Sequence, residues 1–142
     1  MTSWIDDESS HYLYMYDLDT QDYKGKLKMN PVPQWLQGIA YYEGSLFVTC
    51  DDGDADQDEA DHMYRITIDE KEKTGTAVLE KTFDDVIRQG EIEGLTFDEE
   101  QRQFLLLYNR GAKIVLGMPT GFYEGYEEEI HEVFIYDIKN KK

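Results

Sequence analysis

Helical periodicity is weak along the whole chain, and apolar residues instead gather in short runs rich in tyrosine, phenylalanine, valine, isoleucine and leucine, separated by turn-forming clusters. That pattern predicts an all-β fold with strands near residues 12–18, 26–29, 38–42, 46–50, 63–68, 77–83, 94–97, 104–108 and 132–138. Only "FDDVIRQ", residues 83–89, suggests a helical turn. "YYEGS" and "FDEEQRQ" are hairpin-sized links carrying turn residues, so the strands they join are expected to be antiparallel neighbours. Pro31 and Pro33 interrupt any strand that would cross them and mark a link between successive units, because proline supplies no ladder donor.

The runs repeat. "QGIAYYEGSLFVTC" (37–50) parallels "EGLTFDEEQRQFLLLYN" (93–109): an acidic or amide residue, Gly, an aliphatic, a small residue, an aromatic, a turn and an apolar strand. A second phrase follows each of them, "HMYRITID" (62–69) and "VFIYDIK" (133–139), and "YLYMYDLD" (12–19) is a third copy of it. After two of these copies comes a closing run, "KLKM" and "AVLEKTF". The order is the third and fourth strands of one unit (1–30), a complete four-stranded unit (34–83) and the first three strands of another (90–142), all within a single domain.

This periodicity resembles that of β-propellers of the gluconolactonase, strictosidine-synthase and phytase-like type, in which "EGL" or "EGP" opens the innermost strand of a four-stranded blade. The resemblance covers most of the chain and rests on degenerate motifs. It implies propeller-like four-stranded antiparallel blades in an incomplete ring, about two and a half blades where closure needs at least four. The missing blades would then come from further copies of the chain or from the remainder of a larger propeller, since exposed edge strands invite association.

Length fits one compact domain: 142 residues can bury a single core and are too few for two ordinary ones. With 40% hydrophobic and 13% aromatic residues the chain is expected to fold despite its charge. The formal net charge of −17 argues against nucleic acid and anionic membranes as partners, which need a basic footprint, and favours cations or basic proteins. Adaptation to salt would produce a similar balance, but lysine outnumbers arginine ten to four and is not suppressed. The single cysteine, Cys50, excludes an internal disulfide framework and reads as a small buried hydrophobe at the end of a strand. Neither a signal peptide nor a membrane-span-length apolar run is expected from the sequence as written, and compartment stays open.

Seven carboxylates occupy the eleven positions of "DDGDADQDEAD", residues 51–61. Asp52, Asp54, Asp56 and Asp58 alternate with Gly53, Ala55 and Gln57, as oxygen donors do in the first half of a calcium loop. EF-hand geometry is rejected, because its sixth position wants glycine where Gln57 stands and its twelfth wants glutamate where Met63 stands. Carboxylates about 7 Å apart repel by roughly 0.5 kcal/mol per pair even in water, a cost that Ca2+ or another divalent cation would remove. The competing reading is a solvated hairpin tip whose charges are screened and blunt an edge.

On the innermost strand of a blade, alternate side chains would point to the axis, Glu93 and its counterpart Gln37 among them. The resemblance implies Glu93 as a metal ligand, with Gln37 a weaker polar neighbour; Asn109 is a further oxygen donor and Arg110 suits an anionic substrate. Against this, Glu93 can simply cap the strand entry through backbone amides. His11, His62 and His131 stand at or just before the three copies of the second phrase, without ligand spacing, and read more simply as half-buried packing residues.

The stretch 117–132, "GMPTGFYEGYEEEIHE", is the longest insertion between expected strands. Phe122, Tyr123 and Tyr126 there would suit carbohydrate or a cationic group, or would pack over the blade. No nucleophile elbow, phosphate loop, dinucleotide fingerprint or cysteine cluster appears, and no organic cofactor is implied.

The expected function is a non-catalytic propeller-type binding module with an acidic, cation-binding loop. One alternative is a metal-dependent hydrolase of a lactone or phosphoester, with Glu93, Asn109 and acids near Asp51 and Asp52 around the ion. The other is an acidic decoy for basic proteins, which the clustering of the carboxylates in loops disfavours.

Overall fold

The structure, a computed structural model, describes residues 8–51, 60–85, 91–109, 112–115, 118–121 and 133–138. It is all-β. After a 3₁₀ turn at Glu8–His11 come β1 (Tyr12–Tyr16), β2 (Tyr23–Asn30), β3 (Leu36–Tyr42), β4 (Ser45–Cys50), β5 (His62–Asp69) and β6 (Thr74–Thr82). These are followed by β7 (Glu91–Asp98), β8 (Gln103–Asn109), β9 (Ala112–Val115), β10 (Met118–Gly121) and β11 (Phe134–Asp137).

Each of the nine expected strands has an observed counterpart. β9 and β10 form an additional antiparallel hairpin, with β10 inside the stretch 117–132, where the sequence pattern predicts a loop. Of the suggested helical turn, residues 84 and 85 form a turn and residues 86–89 lie outside the described residues.

Six strands make one curled, half-barrel sheet in the order β1-β2-β6-β5-β4-β3. β3 through β6 form an antiparallel meander, and the β1–β2 hairpin joins its far edge through a parallel pairing of β2 with β6. The strands that carry the two closing runs therefore pair, through Lys28–Asn30 of β2 and Thr74–Thr76 of β6, and the sheet does not stop at four strands.

The link between β2 and β3 requires the curl. Asn30 lies level with Thr76, Thr67 and Ser45, whereas Leu36 lies level with Cys50, five residues further along β4. In a flat sheet those two ends would stand four strand spacings apart sideways and about 17 Å apart lengthwise, a diagonal of roughly 25 Å. Six residues reach at most about 20–22 Å. The chain connects them because the sheet bends its two edges towards each other, with 31–35 as a strap across the mouth.

The alternation of side chains follows from this shape. Leu13, Leu27, Met29, Val48, Cys50, Ile66 and Ala77 fill the hollow of the curl, joined by Leu36 and, from the strap, Val32. β4 is buried from Phe47 to Cys50, because it lies between two cores and has no solvent face there. Phe47 on β4 and Met63 on β5 point the opposite way, into a second core with Phe83, Ile92, Phe104, Leu106 and Tyr108. That core is closed by a three-stranded sheet, β11-β8-β7. Its centre is aromatic: Phe104 lies 4.6 Å from Phe47 and 4.9 Å from Phe97, and Tyr42 stacks on Phe97 at 3.9 Å.

Candidate site at the base of the two insertions

The parallel phrases of the sequence occupy neighbouring positions. β3 and β7 are edge strands of their respective sheets, and each carries a register irregularity next to its glycine: between Leu36 and Ile39 against β4, and between Ile92 and Gly94 against β8. The bulge brings the Gly38 amide to the buried Thr49 hydroxyl oxygen, to which it donates at 2.9 Å. A Cβ on Gly38 would lie 2.8 Å from Leu95 Cβ and 2.9 Å from Leu95 N, so the two strands cross at backbone contact and only glycine fits.

Contacts along both strands give them the same direction. Gly38 meets Leu95, Tyr42 stacks on Phe97, and Arg102 beyond the β7–β8 hairpin donates to Tyr42 Oη and to Glu43 Oε1 in the β3–β4 hairpin. The Tyr42 hydroxyl donates in turn to Glu43 at 2.8 Å, and these two hydrogen bonds hold the Glu43 carboxyl below its ordinary range.

The tight turns therefore share one end of the molecule. Asp69 Oδ1 accepts from the amides of Lys71 and Glu72, and Asp98 Oδ1 from those of Glu100 and Gln101. Lys73 and Arg102 close these turns with left-handed φ of 55° and 56°.

Both long insertions leave from the other end: 51–61 joins β4 to β5, and 110–133 joins β8 to β11. At the base of the first, Asp51 and Asp61 are buried at 7% and 8% exposure. The backbone pins both. Asp51 N donates to Trp35 O at 3.1 Å, and Phe83 N donates to Asp61 O at 2.9 Å. Across the interface stands Tyr108 at the end of β8, whose hydroxyl is buried with no hydrogen-bond partner among the described residues. Burial, followed by the negative charges of Asp61 and Asp85, holds that phenol well above its ordinary range.

Cys50 lies beside the same acids. Burial first, then Asp61 and Asp51, push its thiol up to about 12, so it stays protonated and is no nucleophile at neutral pH. It lines a shallow pocket of about 150 Å³ with Asp51, His62, Tyr64 and residues 31–34 of the strap. Among the described residues no group of three or more His, Cys, Asp and Glu stands close enough to hold a metal ion.

Of the residues singled out from sequence, Glu93 is half-buried and Gln37 exposed, both in the bulges at the starts of β7 and β3. Asn109 ends β8 opposite Glu91, and its side chain is outside the described set. Asp52, Asp54, Asp56, Asp58, Arg110, Phe122, Tyr123, Tyr126 and His131 also lie outside the described residues. His11 ends the 3₁₀ turn before β1, and His62 opens β5, facing Cys50 in register.

Sequence reasoning missed Asp61, Tyr108 and the strap pocket. The available signal was position: Asp51 and Asp61 are the two acids of the stretch nearest to apolar strands.

The chain matches no protein-family model, no curated protein and no solved structure.

Proposed function

We propose that this protein is a non-catalytic binding module of propeller type whose acidic insertion holds a divalent cation at the rim formed by the ends of β4 and β8. The observation that carries this reading is the shared exit of the two insertions, which sets the base of an acidic segment beside the base of an aromatic-rich one. In the proposed arrangement β3–β6 and β7-β8-β11 are successive blades. Their matching bulges, the common direction of β3 and β7, and the same order of first, second and third strand all support it.

The chemistry of the base favours a cation over a substrate. Asp51 and Asp61 place two acidic side chains in a buried corner, near a thiol and a phenol that stay protonated. A hard cation is attracted to such oxygen donors and an anion is not. Oxygen donors beyond the two buried acids would come from Asp52, Asp54, Asp56 and Asp58 in the same insertion.

Thermal unfolding with calcium tests the reading. A ligand of the native state raises stability by RT ln(1 + [L]/Kd), about 2.7 kcal/mol at a hundredfold excess over Kd, and at this chain length that is a rise of several degrees in Tm. The fourfold variant D52N/D54N/D56N/D58N is expected to lose the calcium-dependent rise and to keep its fold. No shift of the wild-type midpoint at millimolar calcium would refute the cation site.

A further inference from the structure

The outward face of the β1–β2 hairpin runs against the charge of the molecule. Lys24, Lys26 and Lys28 alternate along β2 with Gly25, Leu27 and Met29; Leu27 and Met29 pack in the hollow while the three lysines are exposed. On the same face β1 presents Tyr12, Tyr14 and Tyr16. Three of the fourteen basic residues of a chain with net charge −17 thus stand on one strand in a row.

Lys24 is paired with Asp17 at 3.3 Å, but no carboxylate pairs with Lys26 or Lys28 among the described residues. Lys26 instead leans across β1, its Nζ 3.7 Å from the centre of the Tyr12 ring, which carries the ammonium towards the outer edge of the sheet. That edge is open: among the described residues β1 pairs with β2 on one side and with no strand on the other.

We infer that β1 and β2 form a docking surface for an extended acidic segment of a partner protein, which adds to the free edge of β1 and places alternate carboxylates over the Tyr12–Lys26–Lys28 stripe. Two features select this occupant. Successive lysines on one face of a strand recur every 6.6–6.8 Å or so, the spacing of alternate side chains on any extended peptide, so carboxylates at every second position meet them in register. An open strand edge also offers amides and carbonyls that a peptide backbone satisfies, and a polynucleotide has no equivalent groups.

The net charge does not prevent this. At physiological ionic strength the screening length is about 8 Å, so a peptide on the stripe responds mainly to the lysines beneath it. A long polyanion would extend beyond the stripe over acidic surface.

Fluorescence anisotropy of a labelled eight-residue peptide alternating glutamate and valine tests the inference, with labelled oligothymidylate as the second probe. The peptide is expected to bind, to weaken as salt rises, and to lose roughly tenfold or more in affinity to the K26E/K28E variant, whose circular dichroism and unfolding midpoint verify that it is folded. Bound peptide is expected to slow hydrogen exchange at alternate amides of β1. Absence of binding at millimolar peptide, equal binding by the charge-reversed variant, unchanged exchange in β1, or tighter binding of oligothymidylate would each overturn it.

Discussion

Gly38 and Cys50 show how much of this structure depends on single atoms. A methyl group at position 38 would collide with the backbone nitrogen of Leu95 and with Thr49 Oγ1, 2.7 Å away, and neither is the loose end of a flexible side chain. Gly38→Ala is therefore expected to destabilise the protein by about 1–3 kcal/mol, the usual cost of overpacking, readable as a lowered urea midpoint. Cys50 gives a pH dependence with a defined sign. Its thiol titrates near 9 when unfolded and is pushed up to about 12 when folded, so between those values the native state binds the extra proton. That contribution is complete below pH 9 and is lost as pH rises towards 12. Tyr108, whose phenol is also raised by burial and by Asp61, adds a loss of the same sign at alkaline pH. The urea midpoint is expected to fall above pH 9, and to fall less steeply in Cys50→Ala. A midpoint independent of pH across that window would contradict the burial described.

Among the elements, the hairpins were the most legible in the sequence, because the residues that make them act locally. Glu43 and Gly44 both take positive φ, 45° and 78°, as a two-residue turn between twisted strands requires, and "YEGS" announces this. The Asp69 and Asp98 turns share one construction: an aspartate accepting two amides, then a left-handed residue four positions on. Asp69→Ala removes those bonds from an exposed turn and is expected to cost roughly 1 kcal/mol.

β9 and β10 were not legible. Their apolar run is only Ile114, Val115 and Leu116, and Pro119 within β10 argues against a strand wherever both edges must bond. Nor could the parallel pairing of β2 with β6 be read, since "KLKM" and "AVLEKTF" each look like the last strand of a separate sheet, and only the curl brings their edges together. The lysine row on β2 was present in the sequence, but a net charge of −17 hid it: composition sums over faces that the fold separates.

For the whole molecule, two cores share β4 and β5, so the curled sheet and the three-stranded sheet are expected to unfold together. Phe104, fully buried between Phe47, Phe97 and Tyr136, sits where they join. Phe104→Ala is expected to cost about 3–5 kcal/mol and to lower the unfolding transitions of tryptophan fluorescence and circular dichroism equally. The sequence repeat led to the expectation that β3 and β7 are equivalent inner strands; the structure gives each a register irregularity next to its glycine and sets the two in the same direction. The repeat could not anticipate that the buried acids would belong to the loop ends, because burial of Asp51 and Asp61 depends on the strap and on Phe83 arriving from distant positions.

In the proposed arrangement the two insertions leave one rim and a cation sits there. Amide chemical-shift mapping of the labelled protein during a calcium titration addresses it most directly. Saturable shifts are expected in residues 50–62 and around the end of β8, with the opposite end, residues 43–44, 70–73 and 99–102, unmoved. Silence at millimolar calcium, or shifts spread over the tight-turn end as strongly as over the rim, would contradict it.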